Sequence, residues 1–255
     1  MRLAIMQPYF FPYIGYFQLI NAVDKFMLYE NVDIRKKSWM TRNIILPKGG
    51  ELLTIFVPLE NHHSSKPIRE IRILPSIKWR ENLLNKLFYG YKNAVFFDET
   101  FPLLCQLIAY EDDRLHAFNC NSIIQICMHL EMTTTITFEH SYYLEMENVL
   151  CRTFALEYKN VMETSSNMPD KKTARIINIC KHEGATDYYN AIGGTELYKK
   201  SDFAAAGNTL SFIKTNAFTY TQFNCSFMPN LSIIDVLMHC GKAKTKCLLE
   251  EYTLI

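Results

Sequence analysis

Residues 7–16 read Gln-Pro-Tyr-Phe-Phe-Pro-Tyr-Ile-Gly-Tyr. This segment joins an apolar run, Leu3–Met6, to a helix-like segment, Gly15–Val23. Pro8 and Pro12 lack N–H groups and restrict the residues before them, so neither a strand nor a helix continues through the join. The chain must turn there while carrying Tyr9, Phe10, Phe11, Tyr13 and Tyr16. A strand, an irregular aromatic bend and a helix follow one another. Lys25–Tyr29 then reads as a second short apolar strand. A strand–loop–helix–strand opening seeds an α/β fold with a parallel sheet. Gln7, Gln18 and the tyrosine hydroxyls put donors and acceptors where backbone groups lack regular partners, which suggests a binding floor.

The 255-residue length fits one large domain or two small ones, and 49% hydrophobic residues supply a core. The 27 basic and 26 acidic side chains nearly cancel, so bulk charge gives no footprint for DNA. An anionic ligand must meet local cations. Cysteines 105, 120, 127, 151, 180, 225, 240 and 247 form no C-x-x-C pair and sit among apolar residues, as reduced core thiols of a cytoplasmic protein do. Met1-Arg2 runs into the first strand without a signal-peptide pattern, and no apolar run reaches the ~18 residues of a membrane helix.

Further along, 43–46 and 52–57 flank Pro47-Lys48-Gly49-Gly50, a β-hairpin pattern. Residues 68–74 read as extended chain. Residues 76–131 are largely helical, with an apolar stripe through Trp79, Leu83, Leu87 and Tyr91. They form a helical subdomain or an insertion within one domain spanning 1–255. Residues 133–138 and 186–191 read as strands, 170–183 as a helix stopped by Gly184, and 139–168 as a weakly patterned connection with a linker at 163–169. Ser232-x-x-Asp235 opens a helix over 232–240 as a capping box in its acidic variant, with Gly241 just beyond. Capping accounts for Asp235 more economically than catalysis does.

Tyr13-Ile14-Gly15-Tyr16 has the shape of the His-Ile-Gly-His signature of nucleotidylyltransferases and class I synthetases. In that superfamily the signature also opens the first helix after the first strand. The glycine lets a nucleotide lie on the backbone, and the helix start faces phosphate. Tyrosine donates one hydrogen bond but is neutral at pH 7. The expected fold is accordingly Rossmann-like, of the nucleotidylyltransferase type, with a parallel sheet, a β-hairpin and a helical middle section. The alternative for Tyr13 and Tyr16 is a place in the core as half-buried aromatics.

The densest basic patch is Arg35–Arg42, with Lys37, Trp39, Arg42 and the neighbouring Asn43 as the ligand-facing candidates. Arg42 suits a carboxylate or phosphate and Trp39 a sugar or base; the alternative is a solvated loop. His62 and His63 point to opposite faces of extended chain and make no metal pair, so no metal is expected. Asp187, with Tyr189 and Asn190, would bring a general base to a strand end before Gly193-Gly194, and Gln222 repeats the tyrosine-plus-amide theme.

Gln7–Gln18, Trp39-x-x-Arg42-Asn43, Gly184-Ala185-x-x-Tyr188, Gly193-Gly194, Leu197-Tyr198 and Leu231–Leu237 occur in one order. Together they resemble the WbqC-like protein family of bacteria and archaea, over residues 3 to about 241. Members occur in gene clusters for O-antigen and other surface polysaccharides, and the resemblance implies a transferase placing a glycyl or other acyl group on an amino sugar. The resemblance supplies no catalytic residues; the chemistry of the side chains makes Tyr13, Tyr16 and Asp187 the catalytic candidates and Gln7, Tyr9, Gly15, Gln18, Lys37, Trp39, Arg42, Asn43 and Gln222 the substrate-binding ones. No cofactor is expected beyond a nucleotide-activated donor or acceptor. The partners are a nucleotide-linked or amino sugar and the polysaccharide assembly enzymes. The alternatives are a metal-independent glycosyltransferase and a non-catalytic sugar- or nucleotide-binding subunit. A D-x-D metal motif is absent from the acidic pair Asp112-Asp113.

Overall fold

Sixteen strands and helices follow in chain order in a computed structural model that describes residues 1–34, 38–60, 66–160, 170–223 and 226–255, with only the backbone of 154–160. The first half holds β1 (Arg2–Met6), α1 (Ile14–Asn21), β2 (Lys25–Leu28), β3 (Arg42–Ile45), β4 (Leu53–Phe56), α2 (Ile77–Tyr91), α3 (Phe97–Ile108) and α4 (Leu115–His129). The second holds β5 (Thr135–Thr137), α5 (Leu144–Asn160), α6 (Lys171–Glu183), β6 (Asp187–Ala191), α7 (Lys200–Ala205), β7 (Thr209–Thr215), α8 (Ile233–Leu248) and β8 (Tyr252–Leu254).

Six strands form one sheet in the order β5-β2-β1-β6-β7-β8, parallel except for the edge strand β8. The chain builds outward from β1 through β2 to β5, then returns to β1's other side with β6. The connections therefore diverge between β1 and β6, the kind of place where open α/β sheets bind ligands. The pleat buries both faces. Leu3, Ile5, Met27, Leu210 and Phe212 face α6 and α7, where Tyr188 stacks on Phe203 at 5.4 Å. Ala4, Phe26, Leu28 and Ile213 face a larger core shared by α1, α4, α8 and the α2–α3 pair. Near-continuous apolar strands are what a parallel sheet covered on both sides requires.

The chain is thus mixed α/β with a mostly parallel central sheet, the expected β3–β4 hairpin and a helical middle. Asp170 caps α6 by accepting from the Thr173 N–H at 2.8 Å, and Gly184 ends it at φ 67°. Three expectations need correction. Residues 68–70 form a 3₁₀ turn before the chain extends. The stretch 139–168 carries the helix α5, while the linker at 163–169 lies outside the described residues. The first helical stretch of α8 stops before Gly241, as expected: Gly241 is non-helical at φ 62°, ψ −177° with the Phe96 ring against its Cα, and a second stretch follows across the kink to Leu248. Ser232 caps α8, but the Asp235 side chain does not complete a box.

Candidate functional site

Because the strands are parallel, the segments after β1, β2, β5, β6 and β7 gather at one edge of the sheet. The aromatic bend, residues 7–13, occupies the middle of that edge. Its backbone is strained: Phe11 sits at φ 41°, a left-handed conformation that costs a residue with a Cβ about 1–3 kcal/mol. Surrounding groups hold it there. The Asn43 Nδ2 donates to the Phe10 and Phe11 carbonyls at 3.0 and 2.6 Å, and the Ser232 hydroxyl donates to Phe11 O at 2.8 Å. Phe10 N–H donates to Trp39 O, and Asn119 Nδ2 bridges the Pro8 and Met40 carbonyls at 2.9 Å each. The Tyr16 hydroxyl donates to Gln7 O at 2.8 Å, and the Phe10 and Phe11 rings are fully buried.

These bonds consume several residues expected to touch substrate. Tyr16 and Asn43 are buried bolts of the bend. Gln18, also fully buried, donates to Leu248 O and Glu251 O at 2.8 and 2.9 Å and accepts from the Thr215 hydroxyl at 2.7 Å, tying α1 to α8 and β7. Gln222 closes a loop on Met228 through both ends of its amide and donates to Asp235 at 3.1 Å. Asp187 is displaced altogether. It opens β6 opposite Arg2, at the amino edge of the sheet, so it cannot act as a base beside Tyr13. Lys37, like His62 and His63, lies outside the described residues.

Gln7, Tyr9 and Tyr13 remain half-buried on the rim, with no side-chain hydrogen bond among the described residues. Burial pushes both phenols above their ordinary titration range, with Tyr9 adding to the effect at Tyr13, so at neutral pH they are donors. Gly15 earns its place sterically: a Cβ there would collide with the Tyr13 ring and come within 2.8 Å of Thr215 Oγ1. Across the bend, Trp39 is 45% exposed, the Arg42 guanidinium lies 5.7 Å from its ring centroid, and the buried Arg42 Nε has no partner among the described residues. Gly194 is required by packing on Asn190 and Phe212, whereas Gly193 faces open space.

Two features carry no motif in the residue order. The first is a cleft of about 860 Å³ at the carboxyl end of β7, bounded by Ile14 of α1, Val236 of α8, Lys214, Phe218, Tyr220 and Phe227. Behind it, the fully buried Asp235 accepts from Tyr91 at 2.6 Å, Tyr220 at 2.8 Å and Gln222. The second lies beyond β2. The Glu30 carboxylate takes both the backbone N–H and, at 2.9 Å, the Nδ1 of the buried His140, while Asn31 Nδ2 donates to His140 O at 2.6 Å. Burial alone would raise the Glu30 carboxyl, but the hydrogen bonds and charge of His140 outweigh it and hold it below its ordinary value. Glu30-Asn31 directly follows a parallel strand, and that position was the available signal.

The WbqC-like protein family model matches residues 7–247, nearly the whole chain. The chain is 25% identical over 243 residues to the uncharacterized protein Rv1507c of Mycobacterium tuberculosis, covering 94% of each. No solved structure matches it.

Proposed function

We propose, from the premise that this chain belongs to the WbqC-like protein family, that it is a transferase acting on a phosphate-bearing sugar at the carboxyl edge of its sheet. One observation carries the reading: the strained bend sits where the connections from β1 diverge, and the starts of two helices lie beside it, stitched by the Tyr13–Ser232 bridge. Helix starts carry partial positive charge and attract phosphate. The strand order is also that of a doubly wound, Rossmann-like sheet, which supports the nucleotidylyltransferase-type assignment.

In this reading Gln7, Tyr9 and Tyr13 donate hydrogen bonds to sugar hydroxyls and to the oxygen that gains charge during transfer. Arg42 holds a carboxylate or phosphate, and Trp39 covers a sugar face. Tyr16, Gln18, Asn43 and Gln222 position the site and do not touch substrate. The transferred group is glycyl or another small acyl group, the acceptor an amino sugar of surface-polysaccharide biosynthesis, and the enzyme works in the cytoplasm where nucleotide-linked sugars are made.

The test is incubation of the purified chain with nucleotide-linked amino sugars and activated glycine, read by mass spectrometry. A product heavier by one glycyl group, reduced at least tenfold in Tyr13→Phe and Arg42→Ala, supports the reading. A glycosylated product points to the glycosyltransferase alternative. Sugar binding without any product leaves a non-catalytic binding subunit, and the transferase reading fails.

A further inference from the structure

We infer that the cleft at the end of β7 is a nucleoside diphosphate subsite, with the base on its aromatic wall and the diphosphate between Lys214 and the paired helix starts. The inference rests on reading the carboxyl edge as the site of a phosphate-bearing sugar and names the activating group of that sugar. About 860 Å³ is within the range of small-molecule pockets, roughly 300–1,000 Å³, and is ample for a nucleotide.

The wall is built to hold a flat ring. Phe218 and Tyr220 lie nearly parallel, 22° apart with centroids 6.3 Å apart, and Phe227 meets Tyr220 edge-on at 5.2 Å. Tyr220 turns its hydroxyl inward onto Asp235, which leaves its ring to the wall. The Gln222 amide, held by the same Asp235, grips Met228 through two hydrogen bonds and so fixes the chain next to Phe227. A buried carboxylate therefore sets the positions of two of the three rings. Such pre-ordering lowers the cost of binding.

Charge runs the same way. Lys214 stands at the mouth with no ion pair among the described residues. Ile14, the first residue of α1, and Val236, in the first turns of α8, form the opposite side. The Tyr13 side chain does not cap α1, and the Gly15 N–H has no acceptor among the described residues. The cleft thus presents an apolar aromatic surface next to a small cationic one, which matches a base joined to a diphosphate. A lipid-linked diphosphate shares the charged end and lacks the flat one.

The experiment is titration calorimetry of the full chain with UDP, TDP, GDP and ADP, with inorganic pyrophosphate and a short-chain isoprenyl diphosphate as comparators. At least one nucleoside diphosphate should saturate, at least tenfold tighter than either comparator. Phe218→Ala and Phe227→Ala should each weaken it about tenfold, as loss of one base-stacking ring does, without changing pyrophosphate binding. Lys214→Ala should weaken nucleotide and pyrophosphate alike. Because ring deletions risk misfolding, saturation-transfer NMR on the unaltered protein provides a second readout, with the strongest transfer expected to base protons. The inference is overturned if no nucleoside diphosphate saturates, if the isoprenyl compound binds tighter, if the folded ring variants bind within twofold of the parent, or if transfer to the base is absent. Glycyl transfer measured separately keeps the two readings apart. Transfer without nucleotide binding defeats this inference alone, and nucleotide binding without transfer defeats the transferase reading alone.

Discussion

Replacing Asn43 by aspartate should harm this protein more than replacing it by alanine. The Asn43 side chain is 5% exposed and fully employed: its NH₂ group serves the Phe10 and Phe11 carbonyls, and its oxygen accepts the Ile44 N–H at 2.8 Å. Asn43→Ala removes three buried hydrogen bonds, although Phe11 O keeps the Ser232 hydroxyl. At about 1 kcal/mol per bond, with Phe10 O left unpaired and some strain at Phe11 released, the net loss is about 2–4 kcal/mol. Asn43→Asp keeps the shape but turns a carboxylate oxygen toward two carbonyl oxygens, which adds about 1 kcal/mol or more of repulsion and desolvation. The introduced carboxyl should titrate above its unfolded value, so the excess penalty is full at neutral pH and shrinks as pH falls toward about 5, where the protonated acid can donate. Urea unfolding followed by circular dichroism at the two pH values measures all of this. If the aspartate variant is as stable as the alanine variant at pH 7, the amide is not clamping the bend, and Asn43 returns to the list of ligand contacts.

Asp235→Ala should cost about 3–5 kcal/mol in the same assay, because three buried donors lose their acceptor; adding Tyr220→Phe should cost less than the single effects summed. Additive losses would mean that the three groups do not share the carboxylate. Burial raises the Tyr16, Tyr91, Tyr188 and Tyr220 phenols, Tyr91 and Tyr220 also through Asp235. Groups raised in the folded state stabilise it fully below their unfolded value, about 10, and that contribution falls as pH rises beyond it. The melting temperature should therefore be insensitive to these phenols up to pH about 10 and decline above it, with the phenolate signal of these four rings appearing only as the protein unfolds. Phenolate absorbance preceding unfolding at these rings would contradict their burial.

The residue order made the frame legible because the frame is local. Prolines, a short apolar strand and a glycine after Glu183 act within a few residues, and β1, α1, β2, the hairpin, α6 and β6 lie where their patterns placed them. The employment of polar side chains is not local. Gln18 finds its partners at Leu248 and Glu251, and Asn43 finds its own in a segment more than thirty residues earlier. Neither pairing leaves a trace in spacing. Asp187 was misplaced for a different reason: it opens its strand in any reading, and the parallel pairing with β1 is what puts that opening at the edge of the sheet away from the bend. Gly241 reads as a stop and is one: its φ 62°, ψ −177° interrupts α8, and its open Cα admits the Phe96 ring before a second helical stretch begins.

That division bears on where chemistry belongs in the bend. Strain survives only where its surroundings over-determine it, and Phe11 is held by two side chains and flanked by further hydrogen bonds at Phe10 and Pro8. Every polar group that builds this restraint is sealed from water, so none of them is free to meet a ligand. The reverse holds on the rim: Gln7, Tyr9 and Tyr13 project from the restrained backbone, and no side-chain hydrogen bond among the described residues engages them. A bend made only for stability has no use for rigidly presented, unengaged donors at the edge where the sheet diverges. On the proposed function, the buried amides and the half-buried phenols are two parts of one device, in which the first fixes the geometry that the second offers to a guest.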